Sequence, residues 1–403
     1  MRSRINTVVM LCHRYLENNV RCVVEDEVTM NQSATDDNLS RFSGWYAAYH
    51  GYVSLCVCVS GIVTNTFNVT VLTRRKMRSP VNQILTGLAL SDIITMMSYV
   101  PFAIHFYCMH PTTQSTAAKN SYGWMFFLLF HINLTTVTHT ISIWLCVVLA
   151  IVRYLHIRSP TRASSARFRR MTQAKYLVLL VYCCSIVVMI PNYLTNELMH
   201  INTSRLLPGV EGGEVEVNET IWVLKSLRLG SNETEPLVLI NVWQYAVLAK
   251  VAPCFLMFIF GSLLLHQLRN KINQRRDFLK FSISNSSKLR EHSRTTKMLI
   301  AVIVLFIVTE FPQGVLIVLS ATKEGFFNKV YLPLGDVMDI MALVNNAVNF
   351  VLYCSMSTKF RETFLCLYCH CRSYRGDELE ADEHDENGYV MRDKMDSGCS
   401  NNN

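Results

Sequence analysis

Charged residues are scarce in this chain: Asp, Glu, Lys and Arg make up 17% of its 403 residues, whereas 50% of the residues are apolar. Soluble domains carry about 25% charged residues, so this composition excludes an ordinary soluble protein of this size. The apolar residues are gathered into blocks that are long enough to cross a lipid bilayer. The sequence therefore predicts an all-α membrane protein built as a bundle of seven transmembrane helices. The predicted spans lie near Tyr46–Leu72, Ile84–Tyr107, Trp124–Ile151, Tyr176–Leu194, Val238–Leu265, Met298–Leu319 and Val330–Cys354.

A strong secretory signal peptide is also missing, because the basic start of the chain leads into only a short apolar run at Val8–Cys12. We therefore expect the first span to act as the signal anchor. Most basic residues lie in the loops after the first and third spans and between the fifth and sixth, whereas the loop Asn192–Glu235 is acidic. Basic loops stay in the cytoplasm, so we predict a multi-pass protein of the plasma membrane with an extracellular amino terminus. The net charge of +8 reflects this topology, and nucleic acid is not an expected partner.

Glycosylation sequons cluster on the side that the charges assign to the outside of the cell. An Asn-x-Ser/Thr sequence that is modified must lie on the surface of a secreted or extracellular segment. The clustering therefore supports the predicted orientation. We predict N-linked glycans at five asparagines: Asn31, Asn38, Asn202, Asn218 and Asn232.

The predicted spans divide the chain into four parts. Residues 1–45 form an extracellular tail, 46–354 the transmembrane bundle, 355–371 a short amphipathic helix with a cysteine cluster, and 372–403 an acidic cytoplasmic tail. Aromatic and charged residues alternate after the seventh span, which is typical of a helix lying along the membrane surface. Cysteines directly behind such a helix are candidates for palmitoylation. The predicted sites are Cys366, Cys369 and Cys371.

The fourteen cysteines do not form the spacing pattern of a disulfide-rich domain. Those inside the spans are expected to pack as small apolar residues. On the predicted outer side, Cys108 has two candidate partners, Cys12 and Cys22, and a free Cys108 is equally open. No span carries a nucleophile beside a base or a cluster with metal-ligand spacing, so we do not expect an enzyme.

Several spans contain polar side chains, which are costly in a bilayer unless each meets a polar partner. The second span contains Asp92, the third Ser142, and the seventh Asn345 and Asn349. Two interpretations of these four residues are open. They form either a hydrogen-bonded core network without another role, or a site for a hard cation, which oxygen ligands suit.

The end of the seventh span gives the first resemblance to a known family. Asn349-Phe-Val-Leu-Tyr353, followed by Lys359-Phe360-Arg361, resembles the end of the seventh helix in rhodopsin-class G-protein-coupled receptors. This resemblance implies that Asp92, Ser142, Asn345 and Asn349 bind an allosteric sodium ion. It also implies that Arg153 and Tyr154 face a heterotrimeric G protein. Pro312 and Tyr353 would be switch residues, arrestin would be a further partner, and no other cofactor is expected.

Other motifs narrow the resemblance. Thr309-Glu310-Phe311-Pro312-Gln313-Gly314 and His139-Thr-Ile-Ser-Ile-Trp144 are similar to the invertebrate myosuppressin and FMRFamide-like peptide receptors, with the sex peptide receptor close to that group. Thr135 stands where amine receptors place an Asp, and Leu343 stands where opsins place the retinal Lys, so these two classes are not expected. The resemblance implies amidated Arg-Phe peptides as ligands and an inhibitory G protein.

A ligand with a guanidinium needs a carboxylate in a partly desolvated pocket. We predict Asp339 as this partner and Glu310, which lies deeper, as a switch residue; a structural role for a protonated Glu310 is the alternative. Thr135, His131 and His139 of the third span are predicted to line the pocket.

The chain also lacks features of the wider class. Leu128 stands 25 residues before Arg153, where a Cys is usual, and Asn192–Glu235 contains no Cys, so the usual disulfide between this loop and the third helix cannot form. Val152 precedes Arg153 in place of the usual acid. Two other functions are open: a chemosensory receptor of the same fold, and an ion-coupled transporter that uses Asp92 and Glu310.

Overall fold

Seven long apolar helices form the molecule, as the composition predicts. The computed structural model describes residues 38–110, 115–158, 164–208, 214–226, 236–279, 286–322 and 326–369. In these residues, seven helices are long and apolar enough to cross a membrane, which confirms the predicted bundle. The first to seventh helices have their main α-helical segments at Asn38–Leu72, Pro80–Ala103, Tyr122–Arg158, Ser164–Val188, Ala252–Leu279, Ser286–Thr322 and Leu332–Met356.

Three of these helices have π-helical turns near the same end of the bundle. Ile104–Met109 ends the second helix, Tyr245–Val251 joins the segment Pro236–Gln244 to the rest of the fifth, and Phe327–Tyr331 begins the seventh. A π-helical turn inserts a residue and changes the direction in which the neighbouring side chains point, and it occurs frequently at functional sites. The fifth-helix turn contains the buried Lys250.

A β-hairpin, which the sequence analysis does not predict, lies between the fourth and fifth helices. Strand β1 is Asn196–Pro208 and strand β2 is Glu214–Ser226, and the two pair in antiparallel register from Asn196↔Ser226 to Pro208↔Glu214. A short helix, Ile190–Thr195, connects the fourth helix to β1. We call the end of the bundle that carries this hairpin the hairpin end, and the opposite end the Arg153 end.

The two largest buried apolar clusters of the described residues hold the bundle together. The larger one fills the Arg153 end and includes Ile84, Leu88, Leu145, Leu149 and Tyr353. The second lies at the hairpin end and joins residues of the second and third helices to Ile221, Val223 and Leu224 of β2. Because β2 contributes to this second cluster, the hairpin packs on the bundle and is part of its core.

An eleven-residue helix, Thr358–Tyr368, follows the seventh helix. Ser357 caps it by accepting a hydrogen bond from the Phe360 amide at 3.2 Å, and the Phe360 ring is buried against Tyr353 at 5.5 Å. Cys366 and Cys369 are exposed at its far end. Their palmitoylation stays a prediction, and Cys371 lies outside the described residues.

Candidate functional site

A buried ion pair connects the fifth and sixth helices near the middle of the bundle. The Lys250 Nζ donates to Glu310 Oε2 at 2.8 Å, and neither side chain is exposed by more than 1%. Nζ also lies 2.7 Å from Gln313 Oε1 and 2.7 Å from His139 Nε2. An ammonium has three donors, so these three contacts satisfy Lys250 completely when His139 Nε2 is the acceptor. We call Lys250, Glu310, His139 and Gln313 the ion-pair cluster.

His139 makes this cluster capable of two arrangements. Its Nε2 lies 3.0 Å from Glu310 Oε2 as well as 2.7 Å from Lys250 Nζ. A neutral imidazole nitrogen either donates or accepts, so Nε2 hydrogen-bonds to only one of these two neighbours at a time. Glu310 Oε1 is buried without a hydrogen-bond partner among the described residues. The cluster therefore lies next to Pro312, with the charges of Lys250 and Glu310 paired and Glu310 Oε1 left without a hydrogen-bond donor in the described part of the chain.

Glu310 is consequently not a hydrogen-bond donor in this arrangement. Its Oε2 faces an ammonium and an imidazole nitrogen, which is the environment of an ionised carboxylate. The structural alternative of the sequence analysis, a protonated Glu310, does not match this geometry. The sequence-based prediction of site residues did not include Lys250, although it is the sole charged residue between positions 236 and 265.

A second polar cluster surrounds Asp92, about one helical turn further toward the Arg153 end. Ser142 Oγ donates to Asp92 Oδ1 at 3.0 Å, and Asn349 Nδ2 donates to Asp92 Oδ2 at 3.1 Å. Ser91 Oγ joins Ser142 Oγ at 2.7 Å. Three of the four residues that the resemblance assigned to a sodium site therefore contact one another directly.

Asn345, the fourth residue, is buried on the same helix, one turn from Asn349. Neither its Nδ2 nor its Oδ1 has a hydrogen-bond partner among the described residues, and Asn349 Oδ1 also lacks one. Buried amides without partners are costly, so these atoms call for water or an ion beside them. Carboxylate, hydroxyl and amide oxygens are the ligands of a hard cation, so the donor set fits sodium.

The seventh helix carries two acids nearer the hairpin end. Tyr107 Oη donates to Asp336 Oδ1 at 3.1 Å, and Tyr99 Oη donates to Asp339 Oδ2 at 3.4 Å. Asp336 is buried, whereas Asp339 is partly exposed. Two residues three positions apart share one face of a helix, so both acids line the same side of the bundle.

The other predicted pocket residues are not equivalent. His131 is buried, stacks on Phe102 at 4.5 Å and lies 3.1 Å from Ser98 Oγ, which is the environment of a packing residue. Thr135 is partly exposed but donates its hydroxyl to the His131 carbonyl of its own helix at 2.9 Å. Of the three third-helix residues, His139 is the one that contacts a charged neighbour directly. The described residues contain no group of three or more His, Cys, Asp or Glu with metal-binding geometry.

At the opposite end, Arg153 is 7% exposed and its Nε lacks a hydrogen-bond partner among the described residues. Tyr154 packs near Phe260 at 6.1 Å. Val152 supplies no carboxylate beside Arg153, so the guanidinium is not held by a neighbour in sequence. An Arg that is desolvated but not fully paired is available to a partner that brings an acceptor.

Hydrogen bonds and apolar contacts join the hairpin to the third helix without sulfur. The Trp222 amide donates to the Asn120 carbonyl at 2.9 Å, and Asn120 Nδ2 donates to the Trp222 carbonyl at 3.2 Å. Leu128, at the position of the missing cysteine, belongs to the same buried cluster as Ile221 and Val223. The hairpin is therefore joined to the bundle without the usual disulfide, because Trp222 at the edge of β2 pairs with Asn120 just before the third helix.

The predicted modification and disulfide sites are only partly described. Asn202 is exposed on β1, Asn218 lies in β2 and Asn38 begins the first helix, whereas Asn31 and Asn232 lie outside the described residues. Cys108 is a free thiol here, and both candidate partners, Cys12 and Cys22, also lie outside them. Glycosylation and the pairing of Cys108 stay predictions.

Comparison with known proteins agrees with this architecture. The family model described as "Serpentine type 7TM GPCR chemoreceptor Srw" matches residues 52–371. The chain is 30% identical to the G-protein coupled receptor dmsr-1 of Caenorhabditis elegans, over 79% of this chain and 68% of that protein. It is 25% identical to the sex peptide receptor of Drosophila melanogaster, over 78% of this chain and 71% of the receptor. It is 24% identical to the Drosophila FMRFamide receptor, over 77% of this chain and 52% of that receptor.

The matched region contains all seven spans apart from the start of the first, together with the ion-pair cluster, Asp92 and Arg153. Proteins of this kind are signalling receptors, so an enzymatic role is excluded by family membership. The chain belongs to the Serpentine type 7TM GPCR chemoreceptor Srw family and is a G-protein-coupled receptor of the invertebrate neuropeptide receptor group.

Proposed function

We propose that this protein is a plasma-membrane receptor for amidated Arg-Phe peptides that signals through an inhibitory G protein. Two of its relatives are named for peptide ligands, the sex peptide receptor and the FMRFamide receptor. The hairpin end is the extracellular end in this proposal, which agrees with the acidic loop and the sequons at Asn202 and Asn218. The Arg153 end then faces the cytoplasm and the G protein.

The ligand assignment rests on the different depth and exposure of the two candidate carboxylates, Glu310 and Asp339. Glu310 is already paired with Lys250 at 2.8 Å and is 1% exposed. Asp339 is partly exposed, lies nearer the hairpin end and accepts a hydrogen bond from the Tyr99 hydroxyl at 3.4 Å. A guanidinium arriving from the hairpin end meets Asp339 before it meets the deeper and fully buried Glu310, so we assign the ligand Arg to Asp339.

The ion-pair cluster is the switch in this proposal. Lys250 and Gln313 connect the fifth and sixth helices on the ligand side of Pro312. Proline removes one backbone hydrogen bond within the helix and so permits bending there. A ligand that changes which neighbour His139 contacts alters the bridge between the helices. It thereby favours the state in which the inner end of the sixth helix has moved outward.

The Asp92 cluster supplies a second control point beneath the switch. Asp92, Ser142, Asn345 and Asn349 would hold a sodium ion, whose charge would offset the buried carboxylate in the inactive state. These residues position the third and seventh helices relative to the second, since each helix donates at least one side chain to the cluster. Arg153 would then contact the G protein when the cytoplasmic end opens.

The experiment that tests the proposal is a panel of synthetic peptides applied to cells expressing the full chain, with cyclic AMP as the readout. The panel contains Arg-Phe-amide peptides, their free-acid forms and amidated peptides without Arg. We expect a fall in stimulated cyclic AMP with the amidated Arg-Phe peptides, blocked by pertussis toxin. A response that ignores both the Arg and the terminal amide would contradict the ligand assignment.

A chemosensory role is the second candidate, because the matching family is described as a chemoreceptor family. The same cells, exposed to extracts of environmental small molecules, distinguish the two functions. Activation by such an extract, with silence toward every peptide in the panel, would replace the peptide by an external cue. The switch and the sodium site are compatible with either ligand.

A further inference from the structure

The hairpin is joined to the bundle at a point where three parts of the chain meet. Asn120 lies in the short segment before the third helix, and both its carbonyl and its side-chain Nδ2 bond to the backbone of Trp222. Trp222 pairs with His200 across the hairpin. The amide and carbonyl that bind Asn120 therefore point to the outer edge of β2, where they would otherwise lack a strand partner.

The Asn120 segment is itself fixed on its other side. His105 of the second helix lies with Nε2 3.1 Å from the Lys119 carbonyl, and its ring stacks on Trp124 at 3.7 Å. The Asn120 amide donates to the Thr116 carbonyl at 2.8 Å, which closes a turn. The segment therefore connects the second helix to the hairpin.

Apolar side chains strengthen the same junction from below. Ile221, Val223 and Leu224 of β2 are each exposed by 4% or less and share one cluster with Leu128 and Met125 of the third helix. Above this cluster, the Trp222 ring meets Tyr122 edge-on at 4.9 Å. Burial of these aliphatic groups anchors the end of the strand that is nearest the bundle, while the hydrogen bonds to Asn120 fix its register there.

A second set of hydrogen bonds holds the beginning of β1. Asn133 Oδ1 of the third helix accepts from Asn192 Nδ2 at 2.9 Å and from Asn196 Nδ2 at 3.1 Å. Asn241 of the fifth helix donates to the Thr195 hydroxyl at 3.1 Å. Both strands are thus held at the base of the hairpin, β2 by the segment before the third helix and β1 by the third helix itself.

We propose that Asn120 and Asn133 form a sulfur-free clasp that holds the hairpin across the mouth of the bundle and thereby fixes the geometry of the ligand entrance. Asn120 and Asn133 are positioning residues, since they act through β1 and β2. A disulfide cannot form here, because Leu128 replaces one cysteine and the loop contains none. The clasp holds the hairpin in its place. Its effect on ligand affinity rests on the proposed function, whereas its effect on the hairpin does not.

Hydrogen–deuterium exchange on the purified full-length receptor measures the clasp directly. In Asn120→Ala, peptides covering 214–226 should exchange up to about tenfold faster than in the unmodified protein, because the bond from Asn120 Nδ2 to the Trp222 carbonyl is lost and only the backbone bond of this junction remains. Asn133→Ala should accelerate exchange at 196–202 in the same way and serves if Asn120→Ala does not fold. Met199→Ala, on the exposed face of β1, is the matched control and should leave both regions unchanged.

A reductant arm distinguishes the clasp from a sulfur tether. Unmodified receptor in reductant should show the same hairpin exchange and the same peptide affinity as without it. Unchanged exchange in both Asn variants, or faster hairpin exchange of the unmodified protein in reductant, would overturn the proposal. If the peptide panel is silent but the two variants loosen the hairpin, the clasp stands and the ligand assignment fails.

Discussion

Removing the Lys250 charge should destabilise the receptor far more than removing the whole ion pair. Lys250 is fully buried, and its Nζ lies within hydrogen-bond distance of Glu310, His139 and Gln313. Lys250→Met leaves Glu310 as a buried carboxylate whose remaining neighbour is His139. Breaking a buried pair in this way costs about 3–5 kcal/mol, or a factor of about 150 to 5,000 in the folding equilibrium.

Replacing both partners should cost much less. A Lys250→Met, Glu310→Leu double variant removes both charges and fills similar volume with apolar groups, which is often neutral or stabilising for a buried pair. Gln313 then loses its ammonium donor, an effect of about 1 kcal/mol. The double variant should therefore melt closer to the unmodified protein than either single variant does.

The assay is thermal unfolding of the detergent-solubilised receptor, with basal cyclic AMP measured in parallel on intact cells. Lys250→Met should also change basal signalling, because the link between the fifth and sixth helices is lost next to Pro312. Lys329→Met, at an exposed lysine, is the matched control. Equal melting temperatures for Lys250→Met and the control, with equal basal signalling, would refute the reasoning.

Three further predictions concern Asp92, Lys119 and Arg153. Asp92→Asn should abolish the effect of sodium on agonist affinity while the bundle still folds. Agonist binding is measured in sodium and in a bulky organic cation at matched ionic strength, and sodium dependence that persists in the variant would exclude Asp92 from the site. Burial lowers the pKa of Lys119 to about 8, so the unfolded chain binds more protons above that pH and stability should rise between about pH 8 and 10. Lys119→Met should flatten this rise in thermal unfolding curves, and an unaltered slope would count against a buried ammonium. Arg153→Ala should leave peptide binding near normal but abolish G-protein activation in a nucleotide-exchange assay, whereas full activation would show that Arg153 is only an interfacial anchor.

The spans were predictable because hydrophobicity and length alone determine them. The predicted Val330–Cys354 falls within the structural Phe327–Tyr331 and Leu332–Met356 segments, although Asp336, Asp339 and three asparagines interrupt it. Helices extend past the apolar blocks at their ends, as the third does to Arg158, because backbone hydrogen bonding continues into polar loop residues. The contacts of Asp92 with Ser142 and Asn349 were likewise expected, since buried polar groups seek one another.

The hairpin and Lys250 were not predicted, for different physical reasons. Apolar residues alternate with polar ones in β2, at Val215, Val217, Ile221 and Val223, as in a strand. However, glutamates and a sequon lie between them, and these are typical of an irregular loop. A hairpin stabilised by tertiary packing on Met125 and Leu128 has little local signature of its own. Lys250 was recognisable as a charge within a span, but its partner could not be assigned without the π-helical turn that directs it toward Glu310.

The most direct test of ligand recognition is a cycle that combines Asp339→Asn with a peptide whose Arg is replaced by neutral citrulline. Competition binding is measured for all four combinations, with Glu362→Gln as a control acid far from the pocket. We predict that Asp339→Asn weakens the Arg peptide by about 2–5 kcal/mol if the bound peptide buries the pair, and the citrulline peptide hardly at all. Equal losses for both peptides, or normal binding of the Arg peptide to Asp339→Asn together with a lost Arg preference in Glu310→Gln, would contradict the assignment.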